Sequence, residues 1–163
     1  MPTPKSADMC SFFHTILFAY QKSVKDILGS GEAVLIHPIL DKIVLVTTKQ
    51  NLSATKEEAF DKTLENFLED ILKKGAVKWV GFEEIEDEKY LFSVKGCSYS
   101  RHIHKLLNTK DTTCPLALAV MAFLQSSTGK KVRPTDSEYT KTGTKTIIEF
   151  LAPTKKKLAA TPL

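Results

Sequence analysis

Four side chains of metal-ligating type lie close together in the chain: Cys97, His102, His104 and Cys114. Thiolate and neutral imidazole are the natural donors for zinc. Their spacing matches no standard zinc pattern. On a helix, His102 and His104 point in different directions, so only one of them can face a given ion. A metal on Cys97, Cys114 and one histidine is one reading. The other is that both cysteines are packed thiols and the histidines polar tips. We prefer the second, because a buried free cysteine usually behaves as a small hydrophobe. A third reading is thiol redox sensing, since a cysteine near a helix N-terminus can have a depressed pKa.

No other local pattern carries catalysis. There is no Gly-rich phosphate loop, no nucleophile elbow, no HExxH and no dinucleotide fingerprint. The acidic run Glu83, Glu84, Glu86, Asp87 and Glu88 reads as a solvated turn rather than a paired acid and base. The reading therefore leans away from an enzyme, and no cofactor is expected. His14 reads as a packed polar tip of the first helix, and His37, before Pro38, as part of a turn or the start of a helix.

These residues must be positioned by a chain of 163 residues, 42% hydrophobic and 26% charged. That is the composition of one globular domain with a self-sufficient core. The net charge is +4, carried almost wholly by lysine, with Arg101 and Arg133 the only arginines. Sequence-reading nucleic-acid proteins rely on the bidentate arginine fork, so a solvated lysine surface is expected and nucleic acid is not. Three cysteines do not make a disulfide framework. The polar N-terminus lacks a signal peptide, and no apolar run reaches the roughly 20 residues that span a bilayer. The expectation is a cytoplasmic protein with no membrane partner.

The chain divides by hydrophobic period. Asp8 can cap a helix whose apolar face holds Met9, Phe12, Phe13, Ile16, Leu17, Tyr20, Val24, Ile27 and Leu28, stopped by Gly29. Phe18 lies off that face and suits a dimer interface. Residues 31–47 read as a buried helix, although Ile43–Val46 also suits a strand and Pro38 interrupts either. Thr55 and Glu58 form a capping box for a helix that Gly75 closes. Residues 77–82 and 90–94 form a hairpin around the acidic turn, and a short helix covers residues 99–107. Thr113 caps, and Pro115 opens, a helix whose residues 116–124 are apolar on every side and so must be buried. Strands at 131–139 and 144–151 turn at Gly143, and Pro134 places the first of them at an edge or delays its start.

The predicted architecture is α+β: a four-stranded antiparallel sheet of two hairpins, packed with helices, one of them central and buried. It forms a single domain over 1–163 with loose ends at 1–8 and 153–163. Phe12, Phe13 and Ile16 on the first helix, Trp79, Phe82 and Phe92 on the first hairpin, and Met121 and Phe123 on the central helix are candidates to line an apolar pocket between sheet and helices.

The stretch Cys114–Phe150, CPLALAVMAFLQSSTGKKVRPTDSEYTKTGTKTIIEF, resembles the closing segment of the 4-vinyl reductase domain. That segment has a Cys opening an apolar helix, a Gly-Lys end, a strand, a turn with Gly and a last strand. Gly96-Cys97 and the hairpin before it also fit. The resemblance covers the last half of the chain, and the N-terminal helices fit by order only. It implies an α/β fold shared with TRAPP-type tethering subunits, a small hydrophobic ligand and a homodimer. Such domains occur in aromatic-sensing transcription activators and near bacteriochlorophyll synthesis. The resemblance also raises a tetrapyrrole vinyl reductase, which would have to borrow a hydride source, and a dimeric adaptor. In the aromatic-sensing relatives a Cys at the start of the central helix holds zinc with an acidic residue, a Cys on the next strand and a Cys after the turn glycine. Cys114 matches the first and Asp136 the acidic position. Tyr139 and Ile147 stand where the other two cysteines would be, so the family's zinc site is incomplete.

Overall fold

A computed structural model describes residues 4–29, 33–49, 60–73, 75–98, 100–104 and 112–151, with side chains outside 4–14, 33–34, 46–49, 60–61 and 101–102. The Thr55–Glu58 capping box and the tail from residue 153 lie outside the described residues. The order of elements is α1 (Pro4–Leu28), α2 (Ala33–Lys49), α3 (Phe60–Lys73), β1 (Trp79–Glu86), β2 (Lys89–Lys95), α4 (Ser100–Ile103), α5 (Pro115–Thr128), β3 (Val132–Tyr139) and β4 (Gly143–Phe150). The fold is α+β, with helices packed on one antiparallel sheet of order β1-β2-β4-β3.

Alternation sorts the sheet into two faces. Phe92 and Val94 of β2 and Thr144, Thr146, Ile148 and Phe150 of β4 are buried, whereas Lys145 between them is exposed. β2 and β4 are the central pair, with Phe92 opposite Thr146 and Val94 opposite Thr144. A Cβ on Gly143 would drive into the Val94 carbonyl, so only glycine can start β4 against β2 here. β3 pairs with β4 alone, which places Pro134 on an edge strand, as a residue without an amide donor requires.

The first hairpin turns more tightly than its composition indicates. β1 runs through the acidic residues to Glu86, and only Asp87 and Glu88 turn. Glu88 takes a positive φ of 59°, and the register slips between Glu84 and Glu86. The acidic side chains tolerate a strand because they lie exposed on its outer edge.

α5 is the buried centre. Ala117, Leu118, Val120, Met121, Ala122, Phe123 and Leu124 are all buried. Cys114, one residue later than the predicted Thr113, is the N-cap; Pro115 follows at the first turn, and Gly129 closes the helix in the left-handed region at φ 68°. α2 packs on α5, and both reach β3. The stretch 33–49 is a helix despite Pro38, and His37 lies inside it rather than in a turn. Burial of Ile36 and Leu40 against α5 outweighs the backbone bond that proline removes.

α1 differs most from expectation. It begins at Pro4, a turn before Asp8. Its predicted apolar face is not packed on the sheet: Ile16 is 49% exposed, Tyr20 63% and Ile27 80%. Phe18, expected at a dimer interface, is instead 2% exposed against Ile103 and Tyr139. At about 100° per residue, Phe18 lies roughly opposite the Ile16–Ile27 stripe, so the contact that holds α1 turns the stripe outward. Periodicity finds an apolar face but does not say what covers it. No helix among the described residues is long and apolar enough to cross a membrane.

Candidate functional site

The predicted metal cluster folds into a packed region around Tyr139, at the end of β3. The Tyr139 ring meets Phe18 edge-on at 5.3 Å and the His104 ring at 5.0 Å. Its hydroxyl accepts a hydrogen bond of 3.1 Å from the Thr112 hydroxyl. Burial pushes that hydroxyl far above its ordinary pKa, and the nearby Cys114 adds to the shift. His104 bonds the backbone next to Tyr139. Its Nδ1 lies 3.0 Å from the Thr140 carbonyl, which can only accept, so Nδ1 carries a proton. Burial lowers the His104 pKa, partly offset by that bond.

Cys97 and Cys114 are both buried thiols. The Cys97 amide is held by the Thr142 carbonyl at 2.9 Å, and the Cys97 carbonyl accepts from the Ser100 hydroxyl at 2.8 Å. Burial raises the Cys114 pKa, against the lowering effect of Thr144 and of the first-turn amides. The helix N-terminus therefore does not activate this thiol, because desolvation of the thiolate is the larger effect. The Thr144 hydroxyl faces the thiol yet closes no hydrogen bond of ordinary length, and is buried without a partner.

Tyr139 lies near both thiols, with its hydroxyl already engaged by Thr112. Among the described residues no three His, Cys, Asp or Glu side chains converge as a metal site would require. The His102 side chain lies outside the described residues.

Of the candidates for an apolar pocket, Phe92, Met121 and Phe123 share the main core and Phe82 packs against it. Phe92 and Met121 are wholly buried in the main core. Phe123 stacks on Phe67 at 4.6 Å, and Phe82 on Tyr90 at 5.1 Å. Trp79 is largely exposed and carries the Lys95 ammonium 4.3 Å from its ring. Ile16 faces outward, and the Phe12 and Phe13 side chains lie outside the described residues.

A cavity lies between α1 and α2. It has a volume of about 570 Å³ and is part open. Tyr20, Gln21 and Val24 of α1 form one wall. Leu35, Ile36, Pro38, Ile39, Lys42 and Ile43 of α2 form the other, and Thr113 and Leu118 close the end at α5. The spacing on α2 is that of one helix face, while Leu40, on the other side, is buried in the core. The α2 helix thus uses one apolar face for the core and a second for the cavity. Its sequence signal is a helix apolar almost all round, which reads as buried until the neighbouring α1 is placed.

Polar groups in this groove are few. Gln21 is 9% exposed, and its Oε1 is buried without a hydrogen-bond partner. Lys42 is the only ionised side chain among the described residues of the lining. The comparisons with known protein families, curated proteins and solved structures find no match for this chain, so the groove's geometry and chemistry carry its functional reading.

Proposed function

We propose that this chain is a non-catalytic binding module that holds or senses a small hydrophobic molecule in the groove between α1 and α2. The observation that carries this reading is the groove itself. It is apolar-walled, about 570 Å³ in volume, and provided with a few polar groups. Ligand sites typically have this size and this composition. The resemblance to the 4-vinyl reductase domain points to the same class of ligand. Among the described residues the groove holds no nucleophile paired with a base and no acid–base pair, which weighs against a reductase acting alone.

The test is binding of Nile red, a neutral dye that brightens in apolar surroundings. The protein is expected to bind it at one site. Ile39→Trp should fill the groove and abolish the signal, while Trp79→Phe on the sheet should leave it intact. A dye signal indifferent to Ile39→Trp would overturn the reading.

A dimeric adaptor is the second reading, favoured by the outward stripe of Ile16, Tyr20 and Ile27. Exposed apolar stripes of this kind mark association surfaces, and two-fold pairing is the commonest form of self-association. A second copy packed along α1 would cover it. Ile27→Lys is expected to convert a dimer into a monomer in analytical ultracentrifugation, and an unchanged sedimentation profile would remove α1 as the interface.

A further inference from the structure

The groove has a charge pattern that selects among apolar molecules, a selectivity that rests on the groove being the ligand site. Among the described residues its only ionised wall residue is Lys42. The adjacent carboxylate, Asp41, does not neutralise it: Asp41 Oδ1 accepts from Gln125 Nε2 at 2.7 Å, which ties it to α5. Among the described residues Lys42 has no ion-pair partner, and no carboxylate shares the groove with it. A second observation comes from α1. Gln21 lines the same groove, is nine-tenths buried and leaves an amide oxygen without a partner. A bare hydrocarbon would leave that amide unsatisfied, whereas a ligand bearing a polar group relieves the penalty of an unpaired buried dipole. An amide can also present its N–H₂ by a half-turn, so it can serve a donor or an acceptor.

We infer that the groove takes an apolar carboxylic acid, such as a medium- or long-chain fatty acid, with its carboxylate accepting from Lys42 and from the N–H₂ of a half-turned Gln21, and its chain along Val24, Ile39 and Ile43. The lysine stem suits this arrangement, because its methylenes continue the apolar wall while the ammonium stays at the solvent edge. The interaction is a charge-assisted hydrogen bond at the mouth of a low-dielectric groove, stronger than a neutral contact. An ester of the same acid offers the same chain but no charge.

Displacement of Nile red by decanoic acid and by methyl decanoate tests this. The wild-type protein is expected to bind the acid roughly tenfold more tightly than the ester, the size of a charge-assisted bond at a partly exposed site. Lys42→Met should erase the preference by weakening the acid alone. Lys145→Met, on the exposed outer face of the sheet, should keep the preference, which separates Lys42 from the general basic charge. Equal displacement by acid and ester, or a preference that survives Lys42→Met, would overturn this inference while leaving the groove a hydrophobic site. If neither molecule displaces the dye and the protein is dimeric with Tyr20 protected, the groove belongs to a second copy, and both readings fall.

Discussion

Tyr139 and Gln21 pose the same physical problem and meet opposite ends. Each is a polar side chain carried into apolar surroundings by a secondary-structure element. Around Tyr139 the chain completes the environment itself: Thr112 satisfies the hydroxyl, and Phe18 and His104 close on the ring. Around Gln21 the protein leaves a partnerless oxygen and a groove of about 570 Å³. A position beside ligand-type side chains is thus a filled interior, and a position that looks like plain amphipathic helix borders a large opening. Polar residue types alone do not mark a binding site.

The sharpest way to break this contrast is truncation on the two sides. Phe92→Ala, in the filled interior, should cost about 3–5 kcal/mol in urea unfolding, whereas Ile39→Ala, on the groove wall, should cost well under half of that, since it enlarges existing space rather than opening a new void. Equal losses would mean that the groove is closed in solution. A smaller pair of changes addresses the polar groups directly. Tyr139→Phe should destabilise by about 1 kcal/mol, because it orphans the Thr112 hydroxyl. Gln21→Leu should be neutral or stabilising by up to about 1 kcal/mol, because it removes an orphan. If Gln21→Leu destabilises as much as Tyr139→Phe, Gln21 has a partner in solution.

The smallest effect concerns pH and belongs to the filled side. Burial lowers the His104 pKa from its ordinary 6.5. Above pH 6.5 the ring is neutral in both folded and unfolded chains, and its contribution is complete. As the pH falls below 6.5 the unfolded chain takes up the proton first, so stability declines until the folded pKa is passed. The melting temperature should therefore fall between pH 7 and pH 5.5, with a shallower slope in His104→Asn. An identical slope in the variant would assign the loss to other groups.

Several elements are legible in the sequence because a local rule decides each of them. The all-apolar run after Pro115 has to be interior, since a helix without a polar face has no side to give to water. Gly129 stops it as a left-handed cap, and Pro134 has to take an edge. The hairpins follow from β-branched and aromatic runs. The tight turn at Asp87–Glu88 does not, because solvated acidic residues look like a loop whether or not they are paired.

The groove between α1 and α2 is not legible in the sequence for a related reason. Side chains such as Phe92 and Met121 are apolar whether they fill a core or line a hollow, and composition does not separate the two. Along one helix, sequence determined that α1 has an apolar stripe and one aromatic residue away from it. Only the tertiary structure decided that the single residue, Phe18, would be buried and the stripe left outward. The first is a matter of spacing within a helix. The second depends on Tyr139, far away in the chain, whose position follows from the β1-β2-β4-β3 strand order. Burial is a competition among all the surfaces a fold brings together, and no local window contains the competitors.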